Sequence, residues 1–350
     1  MKHKFIFLIW FFIFNTFVAN AAVILLYHHV SDTSPESTSV KVDTFTKHLN
    51  YLQNNNFKVL PLDEVLSSLE KGKELPAKSV VITFDDAYKS ILENALPLLK
   101  EKKYPFTVFI NTQSIDVGYK NFLTWEELKI LQKNNALIAN HTHTHTHLVR
   151  KLKEEKPHAW KQRITKDILM AKRILKEKLE VSNRLFAYPY GEYNQDVKRI
   201  LKSLDYFGIA QQSGAIGVGF NKYEIPRFAM TTKYADIKRF ATSVNSKQLS
   251  VSNVDIGSRI LRVNQTDTQD FYFELQEGNY LKQYLACYDS WGKQLNIMVN
   301  NQKVIMQLPS WSQGRQKINC TAPSRTHKGV FYWYSQLWLI KDKKGNWYKE

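Results

Sequence analysis

The stretch Val80-Val81-Ile82-Thr83-Phe84-Asp85-Asp86 carries the first decision about this chain. Five β-branched or aromatic residues in succession make a strand with both faces covered, and two carboxylates follow it directly. Working outward, similar short runs recur at Val23–Tyr27, Phe57–Leu60, Thr107–Ile110, Leu137–Ala139, Leu185–Tyr188 and Phe207–Ala210. Helical patterns lie between them. Phe45, Leu49 and Leu52 recur at helical spacing, Thr124 stands three residues before Glu127 as a capping box, and Pro157 opens a long amphipathic helix through Trp160, Ile164, Ile168, Ala171, Leu175 and Leu179. Strand–helix alternation repeated about seven times predicts an α/β fold with a mainly parallel sheet, open or closed into a barrel. In either closure chemistry gathers at the carboxyl ends of the strands.

After about Asn245 the texture changes. Ser246–Asn253 is short and polar and reads as a linker. Aromatic-rich alternating stretches follow at Asp270–Leu275, Tyr280–Tyr288, Leu295–Val299, Lys303–Leu308 and Val330–Ile340, separated by turn residues. They predict a small all-β, sandwich-like domain over 253–350 behind a catalytic unit at 22–245. Its five tryptophans, Trp291, Trp311, Trp333, Trp338 and Trp347, read as core before they read as sugar-stacking surfaces.

The 350 residues are 43% hydrophobic and 23% charged, which excludes wholesale disorder and collagen-like repeats. Lys and Arg number 49 against 32 Asp and Glu, a formal charge of +17. With no run of five or six like charges, this is a diffuse basic surface and not a nucleic-acid arm; peripheral contact with an acidic polymer or anionic cell envelope and tuning for solubility alone are its two readings. Lys2 and Lys4 precede the apolar run Phe5–Phe14, and Ala19-Asn20-Ala21 follows, so residues 1–21 read as a secretory signal peptide, with a membrane anchor as the competing reading. No later stretch approaches the roughly 18 apolar residues of a spanning helix. The expectation is an exported protein, periplasmic or extracellular. Export permits disulfides, and Cys287 and Cys320 are the only cysteines, so they pair or remain two buried thiols.

Three strand ends carry the chemistry. Adjacent Asp85 and Asp86 resist joint ionisation unless something pairs with them, and a bound cation is one answer; a helix N-terminus is the other. Because consecutive side chains diverge, one carboxylate can ligate while the other stays free as a base. Next, Asn140-His141-Thr142-His143-Thr144-His145-Thr146-His147 places four of the ten histidines within seven residues. In extended chain His141 and His145 stand about 13 Å apart, too far for one ion. If the chain curls into a helical turn, residues i and i+4 approach to about 6 Å, and His141/His145 and His143/His147 are both available as metal pairs. Third, Phe186-Ala187-Tyr188-Pro189-Tyr190-Gly191 offers a stiffened exit and an aromatic groove wall.

These motifs together resemble the polysaccharide deacetylase family, carbohydrate esterase family four. Thr83-Phe84-Asp85-Asp86 is similar to its first motif, His141-Thr142-x-Thr144-His145 followed by Leu148 to its second, and Phe186–Gly191 to its third. Leu26-Tyr27-His28-His29-Val30 and Ile225-Pro226-Arg227 resemble segments of the poly-N-acetylglucosamine deacetylase branch. The resemblance covers roughly 23–240 and implies a distorted (β/α)7 barrel. It implies a divalent metal, Zn2+ for preference, on Asp86, His141 and His145, with Asp85 as catalytic base and the Tyr190 backbone N–H at the oxyanion. Two departures stand out. The third motif has Ala187 where many members carry an Arg that orients the base; Arg227, after Pro226 in a segment that reads as the next strand with its end facing the same mouth, is the substitute on offer. No Leu-x-x-His motif follows residue 228, so His28, just after the first strand, is the candidate general acid. The implied activity is an exported metal-dependent hydrolase removing N-acetyl groups from an N-acetylhexosamine polysaccharide. A catalytically inactive glycan-binding protein and a small-molecule amidohydrolase are the alternatives.

Overall fold

The computed structural model describes residues 21–255 and 257–349. Apart from Ala21, the expected signal peptide lies outside them. Six parallel strands run side by side: β1 (Ala22–Tyr27), β2 (Ser79–Asp85), β3 (Phe106–Ile110), β4 (Ala136–Asn140), β5 (Leu185–Ala187) and β6 (Phe207–Ile209). The segment 225–229 then joins the two edges. Ile225 bridges Ile209 on one side, and β7 (Phe228–Ala229) pairs with Leu25 and Leu26 of β1 on the other. The result is a small, distorted seven-stave barrel.

One stave differs from expectation. Phe57–Leu60 does form a strand, but only Lys58–Val59 pair, and they lie against the first two residues of β2 without becoming part of the ring. The seventh stave is the Ile225–Ala229 segment, whose Pro226 and Arg227 interrupt any apolar run.

Alternation along the staves decides which side chains meet. Val80, Ile82 and Phe84 face outward into the layer of helices, with Phe45, Leu49 and Leu52 of α1 (Val42–Asn54) among their partners. Val81 faces the barrel interior with Ile24, Phe109, Ala139, Ala187, Ile209 and Ile225, and α2 (Leu62–Glu70) adds Leu62, Val65, Leu66 and Leu69 to that cluster. Thr83 and Asp85 share the parity of Val81, so the strand that begins apolar inside ends with a carboxylate inside. Further round, α3 (Leu96–Glu101) and α4 (Thr112–Val117) lead to α5 (Trp125–Gln132), which opens on the capping box between Thr124 and Glu127; α6 (Pro157–Leu179) is the long amphipathic helix, followed by α7 (Gln195–Ser203) and α8 (Ile237–Val244).

The stretch read as a linker is not one. Lys247–Gln248 (β8) pairs with Tyr332 and Trp333, and Val251–Ser252 (β9) pairs with Leu275 and Glu274, so the β region starts at 247 and not at 253. One sheet holds β8, β10 (Ile260–Arg262), β12 (Ala286–Tyr288), β15 (Gly314–Pro323) and β16 (Phe331–Lys341). The other holds β9, β11 (Asp270–Leu275), β13 (Met298–Asn300) and β14 (Lys303–Gln307). Between them lie Phe271, Phe273, Trp311, Trp338 and Ile340, with Cys287 and Cys320 disulfide-bonded from directly opposed positions of β12 and β15. Two of the five tryptophans, Trp311 and Trp338, are fully in this core; Trp291 is 62% exposed. No helix among the described residues is long and apolar enough to cross a membrane.

Candidate active site

The carboxyl end of β2 leaves the barrel through two residues in left-handed backbone, Asp86 (φ 73°) and Ala87 (φ 59°). Such conformations are costly for residues other than Gly and concentrate where geometry is imposed by function. Here they turn Asp86 away from the interior that Asp85 occupies, while the Asp86 N–H still bonds to the Phe109 carbonyl of β3 at 2.9 Å.

The histidine loop after β4 curls, but not as a helical turn. Thr142 (φ 71°) and His145 (φ 52°) are also left-handed. Asn140 Oδ1 accepts from the Thr142 N–H at 2.8 Å, and Thr142 Oγ1 accepts from the His145 N–H at 2.9 Å. The loop therefore folds back on its own side chains and brings His141 Nε2 and His145 Nε2 to 3.2 Å. Asp86 Oδ1 lies 3.5 Å from the first and 3.2 Å from the second. The three ligand atoms fall within 4.8 Å of one another.

This set fits a divalent cation on three counts. It is one carboxylate and two imidazoles, the hard-to-borderline donors that suit zinc and its neighbours. Asp86 Oδ1 is buried without a hydrogen-bond donor, an acceptor aimed at a cation. His141 Nδ1 donates to the Ala187 carbonyl at 2.8 Å, which fixes the tautomer with Nε2 free to ligate. Burial pushes His141 down to about 4, against the nearby Asp85 charge, so it is neutral at neutral pH. Of the two available pairs the structure assembles His141/His145. His143 instead bonds Thr112 Oγ1 at 2.8 Å, and His147 bonds Glu192.

Asp85 stands apart from this cluster. It is fully buried inside the barrel, and Arg227, also fully buried, donates from Nη1 to Oδ1 and from Nη2 to Oδ2, both at 2.7 Å. Arg227 is held in turn by the Ala210 carbonyl (2.9 Å from Nε) and Thr83 Oγ1 (3.1 Å from Nη1), and its guanidinium lies over the Phe109 ring. It reaches Asp85 from within the barrel, with neither side chain open to solvent, and not from a strand end at the mouth. Burial alone would raise the Asp85 pKa; the Arg227 charge and then His141 outweigh it and hold the carboxyl below its usual range.

His28 lies at the same mouth, just past β1, near enough that its charge would lower both Asp85 and Asp86; its Nδ1 is buried without a hydrogen-bond partner. Tyr190 (φ 59°) presents its ring flat against His147, centroids 3.9 Å apart, and at an angle to His145, 4.6 Å away. Two residues at this mouth, Tyr88 and Glu192, went unread in the sequence. Tyr88 stacks on His29 at 3.6 Å and stands beside Asp86; burial and then that carboxylate push its phenol pKa up. Glu192, fully buried, receives His147. Two left-handed residues cannot be read from Asp86-Ala87, so nothing in the sequence placed Tyr88 at the mouth.

Residues 72–209 match the family model for polysaccharide deacetylase. The poly-beta-1,6-N-acetyl-D-glucosamine N-deacetylases of Staphylococcus aureus (strain MSSA476) and Staphylococcus epidermidis (strain ATCC 35984) are 31% and 30% identical to this chain over 233 residues, 61% of the chain and 79% and 80% of those proteins. Among solved structures, a Streptococcus pyogenes deacetylase in complex with acetate superposes with a TM-score of 0.58 at 24% identity, over 65% of this chain and 99% of that one. IcaB from Ammonifex degensii gives 0.55 at 23% identity, over 62% and 95%. At those identities the structures establish a shared fold, and the curated relatives carry the kinship: the chain belongs to the polysaccharide deacetylase family.

Proposed function

We propose that this protein removes N-acetyl groups from a poly-N-acetylglucosamine of the β-1,6 kind, using a divalent metal, Zn2+ for preference, held by Asp86, His141 and His145. The observation that carries the reading is the separation of two roles in two adjacent carboxylates: Asp86 faces the imidazoles, whereas Asp85 is turned inward and held by Arg227. A divalent cation in that triad supplies Lewis acidity and lowers the pKa of water. Asp85, ionised by Arg227, takes the proton of the attacking water; each of its oxygens keeps a lone pair beyond the one Arg227 engages. In this reading His28 gives a proton to the leaving sugar amine, and the Tyr190 backbone N–H holds the developing oxyanion. The buried Arg227 removes the absence of an orienting cation as a reason to prefer an inactive glycan-binding protein.

The same reading makes the protein exported, periplasmic or extracellular, with residues 1–21 as its signal peptide and the basic surface as its peripheral contact with an anionic envelope. The disulfide supports export, since such bonds persist in oxidising compartments. Acetate release, with and without chelator, from β-1,6-linked N-acetylglucosamine oligomers, chitin oligomers, peptidoglycan and acetyl-xylan tests the proposal. Chelator-sensitive release from the β-1,6 oligomers above all others is expected; release from acetyl-xylan alone, or from none, overturns it.

A further inference from the structure

The last residues of the chain return to the catalytic barrel. Leu337 and Leu339 of β16 pack in one cluster with Leu148, Val149 and Trp160, just beyond the histidine loop. Trp347 and Tyr348 follow them to Arg150, whose guanidinium lies over the Tyr348 ring at 4.6 Å and over the Trp347 ring at 5.2 Å. Arg150 Nη1 donates to the Tyr348 carbonyl at 2.9 Å. The Tyr348 hydroxyl and Arg150 Nη2, the latter at 3.0 Å, both donate to Glu192 Oε1. The other oxygen, Glu192 Oε2, accepts from His147 Nδ1 at 2.9 Å. His147 is the imidazole on which the Tyr190 ring lies flat, and Tyr190 in turn meets His145 of the metal triad.

We propose that Glu192 and Tyr348 are positioning residues for catalysis: the C-terminal end of the chain, through Glu192 and His147, sets where the Tyr190 wall stands beside the metal triad. This rests on the deacetylase reading and adds to it a task for the β region. The physical reason is the burial of Glu192. A fully buried carboxylate is tolerated only with its lone pairs engaged, and its donors come from two parts of the fold at once, His147 and Arg150 from the barrel and Tyr348 from the terminus. A carboxylate accepts and cannot donate, so His147 Nδ1 carries the proton and its ring plane is fixed by that bond. Without the Tyr348 hydroxyl, Glu192 Oε1 keeps only Arg150 as a donor and the carboxylate can tilt toward it, which moves the reference of the stacked pair His147–Tyr190. A wall shifted by a fraction of an ångström misplaces the acetyl group relative to Asp85 and the triad while the sugar still binds.

The test uses the full-length, metal-loaded protein with Tyr348→Phe, which removes one hydroxyl and keeps the ring against Arg150, and with Glu192→Gln. Both are expected to lower kcat for acetate release roughly tenfold. KM is expected to stay within about twofold, with unchanged metal content and a melting temperature lowered by only a few degrees in Tyr348→Phe. Wild-type kcat in Tyr348→Phe overturns the inference, as does a loss that appears only in KM. A second measurement needs no turnover: the His147 Nδ1 proton resonance is expected to shift in Tyr348→Phe, and an unmoved resonance rejects the coupling. Wild-type protein that releases no acetate from any substrate removes the deacetylase reading, while the resonance still decides whether Tyr348 reaches His147.

Discussion

Arg227 and Asp85 form an ion pair with no solvent access to either side chain, which changes what substitution does. In such a pair the removal of one partner strands the other charge in a low-dielectric interior, at a cost of about 3–5 kcal/mol. Arg227→Ala is therefore expected to lower stability by that order, measured by denaturant unfolding. Arg227→Lys keeps a positive charge but offers one ammonium where four hydrogen bonds now end, on Asp85 twice, on Thr83 and on Ala210. It is expected to lower turnover roughly a hundredfold while retaining the metal, because Asp85 then loses its orientation. Equal turnover in Arg227→Lys would reject the orienting role. The neighbouring residues separate the two halves of the site. Asp85→Asn is expected to keep the metal and lose activity, and His145→Ala to lose both, as read by metal analysis of the purified variants.

Helix α1 and helix α8 meet over His48, a buried imidazole that bonds the Tyr27 hydroxyl at 3.0 Å and the Ala235 carbonyl at 2.7 Å and stacks on Phe240. Burial pushes its pKa down to about 4, against a smaller upward pull from the Ala235 carbonyl. The unfolded chain, with an ordinary imidazole near 6.5, takes up the proton first, so stability is complete above about pH 6.5 and falls as the pH drops toward 4. His48→Gln is expected to flatten the melting-temperature profile across that window; an unchanged slope would place the acid sensitivity elsewhere. Elements of this kind were legible to the extent that one face of them is apolar. The staves at Val80, Thr107 and Leu137 read directly, as did α1, α6 and the capping box at Thr124. Strand β15 did not: only alternate positions, Gln316, Ile318, Cys320 and Ala322, are buried, and two of those four are not strongly apolar. The segment around Arg227 read as a further strand, but its part in closing the ring did not, since Arg227 occupies an interior position where a hydrophobic residue is the ordinary expectation. Asp86, His141 and His145, the group that could hold a metal, were legible as residue types at a spacing. The left-handed turns that bring them together were not, because Asp, Ala, Thr and His do not announce positive φ.

At the scale of the whole molecule, one strand belongs to two cores. Along β16, Trp338 and Ile340 face the sandwich core, whereas Leu337 and Leu339 face the barrel beside Leu148 and Trp160. Further back on the same strand, Trp333 packs edge-on against Phe228 of the closing stave. A strand buried on both faces couples the stability of what lies on each side. The disulfide sits within the sandwich, joining β12 to β15, and β15 is paired with β16 along its whole length, from Gly314 opposite Ile340 to Pro323 opposite Phe331. Closing a loop of this size contributes about 3–4 kcal/mol in the chain-entropy model. If the two halves were independent, the variant carrying Cys287→Ser and Cys320→Ser would melt in two steps, with only the sandwich moved. The shared strand predicts otherwise: calorimetry of the double variant is expected to show a single transition lowered by roughly 5–10 °C, with metal release moving down in step. Two endotherms, with metal release unmoved at the upper one, would show that β16 bridges the cores without coupling them.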